Sequence, residues 1–174
     1  MHLNPLPLPA ASVPLRVVLD TNVIMAFWHF CDPKLLSLLA WLESRQAVLL
    51  TRQSCLDELQ RVLAYVQFRI EPDQQARILT DYRARSECLA DASEAQMEAA
   101  LALPQCRDRD DQKFIQLAWE GQAHLLLTRD KLLLGMARRA PLRDQTNILT
   151  PERLIKQLGG EGALPAPTSV DALI

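Results

Sequence analysis

The chain has 174 residues, of which 49% are hydrophobic and 23% are charged, and it carries a formal net charge of -2 with a pI near 5.9. This composition excludes a mainly disordered protein, and the negative balance excludes one that coats nucleic acid through bulk positive charge. A chain of this length is expected to fold as one domain with its own hydrophobic core.

Targeting and redox features point to a protein of the cytoplasm. The N-terminus lacks the basic and apolar regions of a secretory signal, and no apolar run reaches the roughly 20 residues that a membrane helix needs. No membrane association is therefore expected. The cysteines show no disulfide or zinc spacing, so they are expected to be reduced thiols. They are Cys31, Cys55, Cys88 and Cys106.

The predicted elements, taken in chain order, alternate between strands and helices. Apolar runs predict strands at residues 16–20, 47–50, 124–128 and 147–150. Apolar residues at helical spacing, with proline or acidic starts, predict helices at residues 33–42, 52–67, 72–88, 108–120, 130–139 and 151–158. The first of these helices is expected to begin with Asp32 as its side-chain cap. Residues 89–107 carry no clear pattern.

This alternation predicts an α/β protein with three layers, in which helices cover both faces of a parallel sheet of four or five strands. The proline-rich residues 1–14 are expected to form an extended tail, residues 15–158 the folded domain, and residues 159–174 a second tail. In such a sheet, ligands bind at the carboxyl ends of the strands. Functional residues are therefore expected at that edge.

Four acids occupy positions that this sheet would bring together. Asp20 ends the first strand, and Asp130 follows the strand at 124–128. Glu58 flanks the apolar stripe of its helix, and Asp111 lies on the stripe that Phe114 continues. Asp108 lies one turn before Asp111 on the same stripe. Each acid also has a structural explanation, as a helix cap, a turn residue or a long side chain that reaches solvent.

Carboxylates gathered at one edge need a counter-charge. Like charges this close do not all stay ionised unless a cation neutralises them. Carboxylate oxygens are the ligands that Mg²⁺ and Mn²⁺ prefer, and no set of cysteines and histidines competes for the role. The sequence therefore predicts a Mg²⁺ or Mn²⁺ site.

Five motifs in this order resemble the PIN domain family, and most closely the bacterial subgroup labelled as toxin components of toxin–antitoxin systems. They are LDTNV at 19–23, LDELQRVL at 56–63, CRDRDDQKF at 106–114, LTRDKL at 127–132 and ILTPERL at 148–154. The resemblance implies a PIN-like nuclease domain over residues 15–158. Two positions depart from the subgroup, with Arg109 in place of a frequent proline and Arg129 in place of a frequent glycine.

The resemblance also implies roles for individual residues. Asp20, Glu58, Asp111 and Asp130 would be the catalytic, metal-binding acids, and Asp108 would join them at the metal or just behind it. Asn22 and Thr128 would support the acids by hydrogen bonding. Basic residues flank the acids in sequence and are candidates for holding the nucleic-acid backbone, although such residues are often simply solvated. They are Arg107, Arg109, Lys113, Arg129 and Lys131.

The implied function is a divalent-metal-dependent endoribonuclease that hydrolyses RNA phosphodiester bonds, acting as the toxin of a toxin–antitoxin pair. RNA, a cognate antitoxin and a homodimer are the implied partners. An RNA-processing enzyme would share this chemistry, and the sequence does not separate the two. The sequence shows no aromatic-rich stretch of the kind that stacks on single-stranded bases.

Two alternatives belong to other functional classes. One is a PIN fold that serves as a binding module without catalysis, although no acid of the motifs is missing. The other is a phosphatase of the haloacid dehalogenase type, with Asp20 as the nucleophile. That family has a second aspartate two positions later, where this chain has Asn22, an amide that cannot carry the proton.

Overall fold

In the computed structural model, which describes residues 6–166, a five-stranded parallel sheet forms the centre of the domain. Its strands are β1 (Arg16–Leu19), β2 (Val48–Arg52), β3 (Ser86–Leu89), β4 (Leu125–Leu127) and β5 (Asn147–Leu149), in the order β3-β2-β1-β4-β5. All four strand pairs are parallel, which confirms the predicted sheet.

Eight α-helices connect and cover the strands within the described residues. They are α1 (Thr21–Trp28), α2 (Leu36–Ser44), α3 (Gln53–Leu63), α4 (Pro72–Ala84), α5 (Glu94–Ala100), α6 (Gln112–Glu120), α7 (Lys131–Met136) and α8 (Pro151–Gln157). Short 3-10 turns lie at Val66–Phe68, Leu142–Asp144 and Glu161–Ala163. None of the helices in residues 6–166 is long and apolar enough to cross a membrane.

The hydrophobic core divides into two clusters, one on each face of the sheet. Side chains alternate along a strand, so Val17 and Leu19 of β1 face one cluster and Val18 faces the other. The first cluster contains buried residues of α1, α2, α3, α4 and α8, whereas the second contains residues of α5, α6 and α7 together with Cys55 of α3. This arrangement confirms the predicted three-layer α/β/α architecture.

The connection of the strands places a crevice beside β1. The chain builds β1, β2 and β3 outward in one direction and then returns to place β4 on the other side of β1. The register pairs Leu19 with Leu127, so the residues that follow β1 and β4 lie next to each other. In parallel sheets, such a reversal point is where ligands bind.

Strand β3 differs from the prediction, which had continued a helix to residue 88. Helix α4 ends at Ala84, and Ser86–Leu89 then pairs with β2 at the edge of the sheet. The middle of this strand, Glu87 and Cys88, is exposed, so the strand lacks an apolar pattern. Its pairing with β2 therefore decides its conformation. The unassigned region 89–107 contains α5, which Ser93 begins with a capping box.

Three helix boundaries were also wrong. Helix α2 begins at Leu36 with no side-chain cap, because Asp32 instead accepts a hydrogen bond from the amide of Lys34 and pairs with Arg129. Helix α3 ends at Leu63, and Val66 is 87% exposed rather than on the buried stripe. Helix α6 begins only at Gln112, so the acids at its start belong to a turn and not to its interior.

The described parts of both predicted tails contact the domain. The backbone of Leu6 exchanges two hydrogen bonds with the side chain of Asn147, and Arg45 donates to the carbonyl of Pro9. After α8, Leu164 is buried in the first cluster. The division into domain and tails stays a prediction, and residues 1–5 and 167–174 of those tails lie outside the described residues.

Gly121 follows the last residue of α6, and its lack of a side chain is required by close packing. A Cβ atom there would lie 2.6 Å from Cδ1 of Leu50 and 2.9 Å from the carbonyl oxygen of Leu117. We expect Gly121→Ala to lower the free energy of unfolding by about 1–3 kcal/mol, measured by urea denaturation. Gly135→Ala is the control, because nothing lies within 4 Å of a Cβ at that position. Equal stability of the two variants would contradict this explanation.

Candidate active site

Asp20 lies at the carboxyl end of β1, where α1 begins, and is only 4% exposed. Its Oδ2 atom accepts hydrogen bonds from the Thr128 hydroxyl, at 2.5 Å, and from the Asn22 amide. Burial raises the pKa of Asp20 to about 6, with a further contribution from the charge of Glu58, while these hydrogen bonds oppose the shift. The structure thus places Asn22 and Thr128 on the carboxylate that they were predicted to support.

Glu58 projects from α3 and is held at both carboxylate oxygens. Its Oε1 accepts a hydrogen bond of 2.6 Å from the Thr21 hydroxyl, and its Oε2 forms an ion pair with Lys113 of α6. The Glu58 side chain is 17% exposed, so it does not extend into solvent. These contacts connect the start of α1, the middle of α3 and the first turn of α6 at one point.

Asp111 occupies the N-cap position of α6, but its side chain makes no capping hydrogen bond. Burial raises its pKa to about 7, and the charges of the neighbouring acids, first that of Asp20, raise it further. Asp108 lies in the preceding turn, where it accepts a hydrogen bond of 2.9 Å from the amide of Asp110. The capping explanation therefore does not account for either acid.

Asp130 does cap a helix. Its Oδ1 accepts hydrogen bonds from the amides of Leu132 and Leu133 at the start of α7, at 2.7 and 3.0 Å. The Asp130 amide donates to the Thr128 hydroxyl oxygen at 2.9 Å. Thr128 thus links Asp130 to Asp20, to which its hydroxyl donates. Asp130 therefore caps α7 and also belongs to the cluster of acids in the cleft.

The acids line one cleft of about 490 Å³ at the carboxyl edge of β1 and β4. Asp20, Glu58, Asp108, Asp111 and Asp130 share it with Thr21, Asn22, Arg129 and an apolar wall of Met25, Phe30, Val62 and Phe68. Thr21 and the apolar wall were not predicted from the sequence. Thr21 lies inside the LDTNV motif, which was the available signal, whereas nothing in the sequence relates Phe30 to Phe68.

The donors in this cleft suit a hard divalent cation. They are carboxylate oxygens, and the raised pKa values of Asp20 and Asp111 have like-charge repulsion among their causes, which a cation would relieve. In their present positions, no three acidic, histidine or cysteine side chains within residues 6–166 form a group close enough to hold a metal ion. Lys113 supplies a cation to Glu58, so metal binding would require these side chains to move.

The five basic residues predicted at the rim fall into two groups. Lys113 pairs with Glu58, and the guanidinium of Arg129 pairs with Asp32 and Glu152. Their positive charges are therefore balanced within the domain. The other three residues, Arg107, Arg109 and Lys131, are exposed. A role for any of the five in binding nucleic acid stays a prediction.

The raised pKa of Asp111 predicts a pH-dependent stability in chelator. Because this pKa moves from 3.8 to about 7, the folded protein keeps a proton that the unfolded chain has lost, and stability falls as pH rises through that window. Asp111→Asn removes this loss. We expect the variant to melt about 1–3 °C above wild type at pH 8 and like wild type at pH 4, a small effect because Asp111 is partly exposed. Asp110→Asn should change neither value, and identical pH profiles for all three proteins would contradict the assigned cause.

Comparison with known proteins identifies the family of this chain. A three-layer fold with acids gathered where the strand order reverses defines a class of α/β proteins that bind ligands at the carboxyl edge of a parallel sheet. The model of the PIN domain family matches residues 16–132, which is more than half of the chain. The chain therefore belongs to the PIN domain family, whose members are generally nucleases.

The fold is also similar to a chain in the crystal structure of VapBC2 from Rickettsia felis bound to a DNA fragment from their promoter. The match has a TM-score of 0.54 and 18% sequence identity, and it covers 78% of this chain and 97% of that chain. At this identity the similarity concerns the fold alone. A comparison with curated proteins found no match.

Proposed function

We propose that this protein is a divalent-metal-dependent endoribonuclease that hydrolyses RNA phosphodiester bonds. The observation that carries the proposal is the convergence of acids from four parts of the chain, after β1, in α3, before α6 and after β4, on one cleft. Membership of the PIN domain family supports nuclease chemistry. RNA as the substrate rests on the resemblance of the motifs.

The side chains have distinct roles in this proposal. Asp20, Glu58, Asp111 and Asp130 hold Mg²⁺ or Mn²⁺, with Asp108 joining them or supporting them from the adjacent turn. When bound, a divalent cation lowers the pKa of an attacking water and neutralises charge on the phosphate. Asn22 and Thr128 keep the Asp20 carboxylate oriented through the hydrogen bonds described above. The capping bonds of Asp130 fix that carboxylate at the start of α7 in the same way.

The basic residues have complementary roles. Arg107, Arg109 and Lys131 are exposed near the acids in sequence and contact the nucleic-acid backbone. Lys113 and Arg129 join them once they are released from the carboxylates that pair with them in the structure. These carboxylates are Glu58 for Lys113, and Asp32 and Glu152 for Arg129. Lys113 neutralises Glu58 in the structure, and a metal ion held by Glu58 would compete with Lys113 for the same carboxylate.

The decisive experiment is the cleavage of end-labelled single-stranded RNA by the purified protein with Mg²⁺, with Mn²⁺ and with chelator. We expect cleavage with either metal and none with chelator. Asp20→Asn, purified in parallel, should not cleave, which excludes a contaminating nuclease. Cleavage that persists in chelator, or in the variant, would reject the proposal.

A binding module without catalysis is the second candidate, and the ion pair between Lys113 and Glu58 favours it, since this pair neutralises one acid without metal. Thermal melting separates the two candidates. A metal-binding site predicts a rise of several degrees in the melting temperature at saturating Mn²⁺, and that rise should be lost in Asp20→Asn. A binding module predicts no metal-dependent shift. The phosphatase alternative needs an acid at position 22, where Asn22 instead donates its amide to Asp20.

We further propose that the protein works in the cytoplasm as a toxin with a cognate antitoxin. The structure with a similar fold contains VapBC2 on promoter DNA, and the motifs resemble the toxin subgroup. Co-expression with the product of the adjacent gene, followed by co-purification, tests this pairing. A homodimer is also proposed, and light scattering of the purified protein measures it.

A further inference from the structure

An aromatic wall adjoins the cleft that contains the acids, and two of its four rings line that cleft. We define it as His29 and Phe30, which follow α1, and Tyr65 and Phe68, which lie at the turn after α3. The ring centroids of Phe30 and Phe68 are 5.8 Å apart, and both residues line the cleft that contains the acids. The Tyr65 ring stacks on Phe68 at a centroid distance of 6.3 Å and an interplanar angle of 20°. His29 packs against both phenylalanine rings.

Two rings of this wall are exposed to solvent, whereas aromatic side chains are ordinarily buried. Phe30 is 56% exposed and Tyr65 is 48% exposed, and within residues 6–166 no other aromatic side chain is exposed to this extent. Exposed contiguous aromatic surface usually marks a binding site. Because Phe30 and Phe68 line the same cleft as Asp20 and Asp111, a ligand that fills the cleft would contact both the acids and these two rings.

The charge distribution indicates what kind of contact a nucleic acid would need here. The net charge is -2 and the cleft contains five acids. Lys113, which pairs with Glu58, and Arg129, which lines the cleft, are both neutralised by carboxylates of the domain. Ionic attraction to phosphate from the residues that line this cleft is therefore weak, and the backbone contacts proposed for Arg107, Arg109 and Lys131 come from residues that are not part of the lining. Proteins that bind single strands stack unpaired bases on aromatic rings, and this contact does not itself need an ion pair.

We propose that the aromatic wall stacks the unpaired bases beside the phosphate that enters the acidic cleft, which makes Phe30 and Tyr65 binding residues for single-stranded RNA. This inference rests on the proposed function for the identity of the nucleic acid. The sequence shows no aromatic-rich stretch because residues 30, 65 and 68 are brought together only by the fold. Base-paired RNA would be excluded, since its bases cannot present their faces to the rings.

The test is equilibrium binding of an end-labelled single-stranded RNA to the full chain in chelator, so that cleavage cannot interfere. We expect Phe30→Leu and Tyr65→Leu each to weaken binding by about five- to a hundredfold, and Phe30→Trp to retain it. Val66→Ala is the matched control, because Val66 lies in the same turn and is 87% exposed but has no ring. Both leucine variants should keep the fold, since the residues changed are exposed, and circular dichroism checks this.

The same strand with abasic residues in its central segment completes the experiment. If the rings stack bases, wild type should bind the abasic strand as weakly as Phe30→Leu does, and the variants should lose nothing further on that strand. Binding of the intact strand by the leucine variants within about twofold of wild type would overturn the proposal. An equal loss of affinity for both strands would also overturn it. If the wall binds a protein partner instead of bases, the leucine variants should bind the intact strand within about twofold of wild type.

Failure of the stacking site and failure of the proposed nuclease function would give different results. Ring-dependent binding by a protein that cleaves no RNA with Mg²⁺ or Mn²⁺ would reject the nuclease and leave the stacking site intact. Normal metal-dependent cleavage by variants that also bind RNA normally would reject the stacking site alone.

Discussion

Asp111→Asn is expected to lower kcat/KM for metal-dependent RNA cleavage by more than about a hundredfold. Mutation of a residue that only orients a metal ligand already lowers metal affinity or activity by about 10- to 100-fold, and Asp111 is proposed to bind the metal itself. Asp111 lines the cleft with Asp20 and Asp130 and is free of a capping role. The substitution preserves the size of the side chain but removes the charge. The fold is expected to remain intact, since the acid is partly exposed and makes no capping bond.

Two matched controls separate the cleft acids from acidity in general. Asp110→Asn changes an exposed acid next to Asp111, and Asp57→Asn changes an exposed acid next to Glu58 on α3. Both should cleave like wild type, whereas Glu58→Gln should be as inactive as Asp111→Asn. Initial rates at several RNA concentrations and saturating Mn²⁺ measure these effects. Wild-type turnover by Asp111→Asn would remove it from the site.

Glu120→Gln is expected to lower the free energy of unfolding by about 3 kcal/mol, or roughly 6–12 °C in melting temperature. Glu120, at the end of α6, forms an ion pair with Arg52, at the end of β2, and the two side chains are only 5% and 9% exposed. Nε of Arg52 has no hydrogen-bond partner within the described residues. Removing the carboxylate therefore leaves a guanidinium charge buried without compensation, which is the costly case for an ion pair.

An exposed ion pair provides the control for this effect. Arg143 and Asp144 pair at 3.3 Å with side chains 49% and 67% exposed, so Asp144→Asn should cost less than about 1 kcal/mol. The double variant Arg52→Met, Glu120→Leu should recover most of the stability lost in Glu120→Gln, because apolar side chains of similar size replace a buried pair at little cost. Equal melting temperatures for Glu120→Gln and Asp144→Asn would contradict the assigned burial.

The ion pair also connects stability to the site. Arg52 immediately precedes α3, which carries Glu58, and Glu120 ends the helix that begins after Asp111. Loss of the pair is therefore expected to loosen the elements that hold these two acids. Cleavage by Glu120→Gln, measured well below its melting temperature, should fall less than cleavage by Asp111→Asn, since both acids are retained.

The sequence by itself determined the parallel sheet and the approximate positions of its acids. Strands β1, β2, β4 and β5 are short apolar runs, and their buried faces leave a signal in the amino acids themselves. Because parallel strands share a carboxyl edge, Asp20 and Asp130 were placed near each other from their positions after two strands. Their roles in binding metal stay predictions.

Tertiary structure alone decided the features that depend on partners distant in sequence. β3 is a strand because it pairs with β2, and its exposed middle residues carry no periodic signal. Lys113 pairs with Glu58 across 55 residues of chain, a contact that no local pattern specifies. The aromatic wall likewise arises because the ends of α1 and α3 meet at the cleft. Local patterns record burial within one element, whereas these contacts depend on how the elements pack against one another.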